Sequence, residues 1–116
     1  MDRITLSAPY ITKNGDRARL CSDVNLHSEN HQLWYETSLE YAKYFSQDRL
    51  DAFVVNLLLY AMQHKYAIKC EAPMSERLYY QLNEYLIPSI SSNIAEYSSI
   101  KIEADLIVGE AVRKLN

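Results

Sequence analysis

The sequence predicts an α+β fold in two layers, with helices packed on one face of a mixed or antiparallel sheet. Three observations support this class. Apolar residues recur at helical spacing between residues 48 and 64. Residues 66–71 and 99–106 alternate apolar with polar side chains, as half-buried strands do. The dipeptide Asn14-Gly15 predicts a β-hairpin near the N-terminus, because it adopts positive φ easily.

Length and charge limit the functions open to this chain. At 116 residues we expect a single domain over residues 1–116, either whole or as the N-terminal part of a longer protein. The 12 basic and 15 acidic side chains give a net charge of −3, with no run of Lys or Arg to neutralise phosphates. We therefore expect no nucleic-acid partner.

Glycine scarcity argues against a nucleotide cofactor. Gly15 and Gly109 are the only two glycines in the chain. Walker loops and dinucleotide fingerprints need several closely spaced glycines, so that backbone amides can reach phosphate. The sequence therefore predicts no cofactor.

The N-terminus and the cysteines predict a cytoplasmic protein. The first ten residues have neither the charged region nor the apolar region of a signal peptide. Cys21 and Cys70 are the only cysteines and lack CxxC spacing, so we expect reduced thiols. The most apolar window, residues 54–62, contains Asn56 and is too short to span a bilayer, so we expect no membrane partner.

The predicted hairpin has arms at residues 3–12 and 16–26. In the second arm, Cys21 has the opposite phase to its apolar neighbours and is expected to be more exposed than they are. Those neighbours form the packed face, which Ser22 interrupts. They are Ala18, Leu20, Val24 and Leu26.

An aromatic strand and a short helix are expected next. Residues 27–30 form a polar break, and QLWYET at 32–37 has the composition of a strand. A short helix is predicted over residues 38–45. Its inward side is expected to consist of Leu39, Ala42 and either Tyr41 or Phe45.

The helix predicted over residues 48–64 is the centre of the fold. Asp48 is its expected N-cap, and Asp51 places a negative charge in the first turn, where the helix dipole favours it. The side around Phe53, Leu57 and Ala61 should pack on the sheet. A second apolar side needs a cover from the second helix or from another subunit. That side comprises Val55, Leu59 and Met62.

Asn56 is the most informative polar residue of this helix. We expect it to be buried, where an amide without partners would cost about 1–3 kcal/mol. A neighbouring strand end, a partner helix and a pocket are the alternative partners, and the strand end is favoured.

The C-terminal half is predicted to be strand, helix, strand. Ser75 should cap the second helix, and Pro88 should end or kink it near Ile87. Residues 91–93 are expected to form a loop or a fraying end. The connection between the two alternating strands is long enough for a right-handed crossover, so we expect them to be parallel neighbours. The apolar stripe of the helix comprises Leu78, Leu82, Tyr85 and Leu86.

No combination of residues predicts catalysis or metal binding. His27 and His31 are four residues apart around Glu29, but this segment does not have a helical pattern and is expected to be an exposed polar loop. Cys70 lies on the apolar side of its strand, which predicts a buried, unreactive thiol. We therefore assign no catalytic and no metal-binding residue.

Four stretches of the chain carry a family resemblance: LWYE (33–36), DRLDAFVVNLLLYAM (48–62), SERLYYQLNEYLIP (75–88) and IKIEA (100–104). Together they resemble the N-terminal region of larger bacterial proteins whose second half is a PP-loop ATP pyrophosphatase-like domain, of the adenine nucleotide alpha hydrolase class. The resemblance implies an accessory domain attached to an enzyme that adenylates a substrate with ATP. The PP-loop motif SGGxDS is absent from this chain, so no catalytic residue is carried over.

These observations predict a non-catalytic accessory or assembly domain that serves a PP-loop enzyme. The expected partner is a second copy of the chain, or the PP-loop domain in the same or a neighbouring chain. The alternative is a small ligand-binding protein or enzyme with a tyrosine-lined pocket. The residues proposed for the interaction surface or pocket are Asn56, Leu59, Tyr60 and Tyr79.

Overall fold

The computed structural model describes residues 2–109 and 111–113. The strands are β1 (Arg3–Leu6), β2 (Tyr10–Asn14), β3 (Arg17–Leu26), β4 (Glu29–Ser38), β5 (Ala67–Cys70), β6 (Met74–Ser75), β7 (Ile102–Glu103), β8 (Leu106–Val108) and β9 (Ala111–Arg113). The helices are a 3-10 helix (Leu39–Tyr44), α1 (Asp51–His64), α2 (Glu76–Gln81) and α3 (Ile87–Asn93). A π-helical turn (Leu82–Leu86) joins α2 to α3.

The main sheet is mixed, and β3 is the strand with the most neighbours. One edge of β3 pairs with β4, and the other edge pairs with β2 and then with β1, all antiparallel. The strands β1, β5 and β7 continue the sheet as parallel neighbours, with Ile68 beside both Ile4 and Ile102. The predicted α+β class, the N-terminal hairpin and the parallel pairing across the second helix are confirmed.

The first hairpin turns at Gly15 as predicted, but its first arm is shorter. Gly15 has a φ of 61°, a conformation that a two-residue hairpin loop requires. The arm predicted over residues 3–12 is divided, because Pro9 lacks an N–H and cannot continue a strand ladder. Ser7 binds β3 at this point, where its hydroxyl accepts a hydrogen bond from Asp23 N at 2.8 Å.

A second hairpin joins β3 to β4 at the position predicted to be a polar break. His27 and Ser28 have φ values of 53° and 65°, which is the type I′ geometry of a two-residue turn. The predicted aromatic strand is confirmed but longer, since it pairs from Glu29, opposite Leu26, to the end of β4. The expectation of a loop is therefore wrong for His31, which lies in a strand.

Cys21 is buried, which corrects the expectation that it would be exposed. It lies on the outer face of the sheet, away from α1, where its cross-strand neighbours are the large rings of Tyr10 and Trp34. The Thr12 hydroxyl lies 3.8 Å from its sulfur. Strand phase alone did not reveal this cover, because it comes from two other strands.

The helix predicted over residues 38–45 is a 3-10 helix that buries none of its own residues. Leu39 was expected to face inward but is exposed, and of the two alternatives Tyr41 and Phe45, Tyr41 is exposed. The residue after the helix, Phe45, packs against the core. The contact of this segment with the core is therefore made by Phe45 and not by a buried residue of the short helix.

Helix α1 begins at Asp51, and the prediction of Asp48 as its N-cap is wrong. Leu50 occupies the cap position, and its N–H donates to the Pro73 carbonyl at 2.9 Å, which fixes where the chain enters the helix. Asp48 instead accepts two hydrogen bonds from Arg49, at 3.0 and 3.1 Å. In the described part of the chain, no helix is long and apolar enough to cross a membrane.

Ser75 caps α2 as predicted, accepting a hydrogen bond from Leu78 N at 3.3 Å. The prediction that Pro88 ends or kinks the helix near Ile87 is wrong about its end, because helical structure continues to Asn93. In a regular α-helix, proline lacks the N–H donor and its ring collides with the carbonyl four residues earlier. The wider π-helical turn immediately before Pro88 accommodates both effects. Residues 91–93, expected to form a loop or fraying end, belong to α3.

The strand predicted over residues 99–106 is divided between two sheets. Strand β7 pairs with β5, whereas β8 joins β6 and β9 in a second, smaller sheet. The predicted alternation of burial is confirmed across this division. Its buried members are Ile100, Ile102, Ala104 and Leu106.

One hydrophobic cluster joins the main sheet to the helices. Phe53 of α1 is its largest fully buried side chain. Ile4 and Ile68 contribute from the sheet, and Leu82 and Ile87 from the second helical segment. The cluster therefore lies between the helices and one face of the sheet, and α1 crosses it beside β4, where the Tyr35 and Phe53 rings are 5.5 Å apart.

Candidate interaction surface on helix α1

The exposed side of α1 carries no charged residue. Between residues 52 and 64 the sequence contains no Asp, Glu, Lys or Arg. Val55, Leu59 and Tyr60 expose 53%, 49% and 45% of their surface. Charged and polar residues usually occupy the exposed face of a surface helix, whereas charge is depleted at the core of protein interfaces. The exposed residues of α1 are Ala52, Val55, Asn56, Leu59, Tyr60, Gln63 and His64, and we call the first six of them the α1 face.

The second apolar side predicted for this helix is covered only in part. Met62 is fully buried, and its carbonyl accepts a hydrogen bond from Ser98 N at 3.0 Å. Tyr97, beside that contact, packs against the core. The segment after α3 therefore covers Met62, while Val55 and Leu59 stay exposed.

Asn56 is exposed, so the expectation of a buried amide is wrong. Its Nδ2 donates to the Tyr35 hydroxyl at 3.4 Å, and that hydroxyl donates to the Ala52 carbonyl at 3.1 Å. The amide is therefore tied to a strand side chain at the border of the α1 face. The residues on both sides of Asn56 in the sequence are apolar, which is why the sequence predicted a buried amide.

Tyr60 belongs to a row of aromatic rings at the C-terminal end of α1. Its ring centroid lies 4.4 Å from that of His64, which lies 5.6 Å from that of Tyr66. Tyr66 in turn lies 5.7 Å from His27, and His27 Nε2 lies 3.6 Å from an Asp2 carboxylate oxygen. His27, which is distant in sequence, thus joins the rings of Tyr60, His64 and Tyr66.

Tyr60 also lines a groove of about 240 Å³ between α1 and the inner face of β4. Ligand pockets for drug-sized molecules usually measure about 300–1,000 Å³, so this groove is small. The β4 residues of this groove were not predicted from the sequence, although they share the strand phase of Tyr35. The groove is lined by Ile4, Val24, Leu26, Glu29, His31, Leu33, Leu57 and Tyr60.

Tyr79 does not belong to the α1 face. It lies on α2, partly buried against the core, with its ring 5.5 Å from that of Tyr80. Its carbonyl accepts a hydrogen bond from Asn83 Nδ2 at 2.8 Å. Of the four residues proposed from the sequence, the structure places Asn56, Leu59 and Tyr60 on one exposed side of α1 and Tyr79 on another helix.

The two histidines considered for metal binding lie beside carboxylates, and the Cys70 thiol is partly buried. His31 Nε2 lies 3.6 Å from a Glu29 carboxylate oxygen, whereas His27 turns toward Asp2, so the two histidines do not converge. Burial raises the pKa of the Cys70 thiol from its ordinary value of 9.0 to about 12, and a nearby carboxylate adds to the rise. Within residues 2–109 and 111–113, no three His, Cys, Asp or Glu side chains are grouped to hold a metal ion.

Comparison with protein-family models, curated proteins and solved structures finds no significant match to this chain.

Proposed function

We propose that this chain is a non-catalytic interaction domain that docks on a partner protein through the α1 face. The single observation that carries the proposal is an exposed helix face with apolar side chains and no charge. Val55 and Leu59 are one helical turn apart, so they form one continuous apolar strip rather than scattered contacts. Such a strip favours protein contact because it is removed from water on binding.

The proposed partner is a PP-loop ATP-dependent domain, in the same protein or in a neighbouring one. The support for this choice is the resemblance of four segments to the accessory region of such enzymes. The most apolar of these segments, residues 48–62, contains Val55, Leu59 and Tyr60. Docking through α1 would leave chemistry to the partner and assembly or substrate recognition to this chain.

A co-purification experiment tests this proposal. The chain is produced with the SGGxDS-bearing protein encoded in the same or the adjacent reading frame. We expect the wild-type pair to co-elute on size exclusion and Val55→Glu to abolish the complex. Val112→Glu is the matched control, because Val112 on β9 is 54% exposed but lies outside the α1 face. Equal retention of both variants would contradict docking through α1, and absence of any such reading frame would contradict the choice of partner.

Ligand binding in the groove beside Tyr60 is the second candidate function. Its support is the concave apolar wall, with polar rims from His31 and Glu29. Thermal-shift screening of metabolites should then find a compound that stabilises wild type and not Tyr60→Ala. Lack of any stabilising compound, or equal stabilisation of both proteins, would count against this candidate.

A further inference from the structure

Strand β4 leaves one edge of the main sheet open. It pairs with β3 along its whole length, from Glu29 to Ser38, without a bulge. Among the described residues, no other strand pairs with it. Most of its side chains are exposed, Trp34 among them. A long, regular strand with a free edge is a template for pairing with another chain.

The two-residue turn at His27 and Ser28 determines which backbone groups of β4 face outward. Leu26 and Glu29 flank this turn and therefore form a hydrogen-bonded pair of the hairpin. Since hydrogen-bonded and non-hydrogen-bonded pairs alternate, the odd-numbered residues of β4 bond to β3. The N–H and C=O groups of Asn30, Gln32, Trp34 and Glu36 consequently point away from the sheet.

β4 lacks two of the usual devices that protect an open edge. It contains neither Pro nor Lys, residues that commonly block edge pairing. Glu36, one of its two acids and the third residue from its C-terminal end, accepts hydrogen bonds from Arg19 Nε at 3.0 Å and Arg17 Nε at 3.3 Å. Its charge is therefore compensated within the chain.

We infer that β4 pairs antiparallel with β4 of a second copy, with the two-fold axis between the two Leu33 side chains. In this register Glu36 lies opposite Asn30 of the second copy, and Gln32 lies opposite Trp34 of the second copy. No like charges are opposed, whereas an axis at Glu36 would oppose two carboxylates. The pairing spans residues 29–37 of each chain and uses all the outward backbone groups named above.

The proposed pairing extends the inner face of the sheet beside the groove. Leu33 and His31 line the groove within one chain. The register adds Leu33 and Tyr35 of the second copy opposite them. The dimer uses the backbone edge of β4, whereas the proposed function rests on the exposed Val55 and Leu59 side chains of α1, so different substitutions test the two contacts.

Light scattering with edge variants tests the dimer. We expect the molar mass of the wild type to rise to twice its chain mass of 13.5 kDa as its concentration increases. Gln32→Pro should remain monomeric in light scattering and folded by circular dichroism. Proline removes an outward N–H and no bond to β3. Gln32→Thr is the matched control, because it loses the same side-chain amide, which donates to the Tyr10 hydroxyl, but keeps the N–H. Monomeric wild type, or dimeric Gln32→Pro, would overturn the inference.

Disulfide cross-linking tests the register without depending on the fold of the proline variant. In a non-hydrogen-bonded antiparallel pair the Cα atoms are about 4.5 Å apart, within disulfide range. Leu33→Cys should therefore form a covalent dimer on mild oxidation. His31→Cys should not, since residue 31 lies opposite residue 35 of the second copy. A cross-link at residue 31 and none at residue 33 would overturn the register. Both results are independent of Val55→Glu, which tests the proposed function.

Discussion

The Asp51 carboxylate accepts hydrogen bonds from both the backbone N–H and the hydroxyl of Ser75, at 2.7 and 2.6 Å. Asp51 lies in the first turn of α1, and Ser75 is the N-cap of α2. One side chain therefore joins the starts of two helices that are distant in sequence. The same Ser75 hydroxyl accepts from Leu78 N, so the contact also supports the cap of α2.

Asp51→Ala should destabilise the protein more than Asp48→Ala, although Asp48 was the residue predicted to cap the helix. Removing the carboxylate leaves the partly buried Ser75 N–H without its partner, so we expect the free energy of unfolding to fall by about 1–3 kcal/mol. Asp48→Ala is the control, because the exposed Asp48 pairs with its sequence neighbour Arg49. This substitution should change the free energy of unfolding by less than about 0.5 kcal/mol. Urea denaturation of both variants checks this, and equal losses would contradict it.

Gly15→Ala should destabilise the first hairpin through backbone strain alone. An added Cβ meets no atom within 4 Å, but φ is 61°, where an L-residue costs roughly 1–2 kcal/mol. Denaturant midpoints measure this effect. A neutral Gly15→Ala would mean that the turn adopts another geometry.

Stability should fall with rising pH because of Cys70. Its folded pKa, about 12, lies above the ordinary value of 9.0. Between these values the unfolded chain loses the thiol proton first, so its contribution to stability is complete below pH 9 and decreases toward pH 12. Cys70→Ala should therefore show a smaller alkaline loss than wild type in denaturation series at matched pH. Parallel losses would contradict a partly buried thiol that stays protonated in the folded chain.

The sequence predicted which residues face the core more reliably than which elements are neighbours. Period-two alternation located Ile100, Ile102, Ala104 and Leu106 in the interior, and all four are buried. Alternation reports the face of a strand but not its hydrogen-bonding partner. It therefore could not show that the chain leaves β5 after Glu103 and joins β6 at Leu106.

Local rules failed where tertiary contacts override them. Pro88 is a helix-ending signal in sequence, yet Ile87 and Ile90 pack on the core and the helix continues through a π-helical turn. Asp48 has a side chain typical of an N-cap. The helix nevertheless begins at Asp51, because the Leu50 N–H donates a hydrogen bond to the Pro73 carbonyl. Neither contact is visible from residue spacing.

The candidate surface was predictable in part. The uncharged run of the central helix is evident in the sequence, and Leu59 and Tyr60 are exposed as an interaction surface requires. Tyr79 was grouped with them by residue type, which carries no information about which helices are neighbours. The open edge of β4 depends on the order of strands in the sheet, which the sequence pattern did not reveal.

Titration calorimetry of the chain against the PP-loop protein tests the central claim most directly. Interface residues that dominate binding cost at least about 2 kcal/mol when changed, which corresponds to a roughly thirtyfold weaker affinity. We predict at least this loss for Val55→Glu and for Leu59→Glu, and wild-type affinity for Val112→Glu. Wild-type affinity in both α1 variants would contradict the assignment of the α1 face as the docking surface.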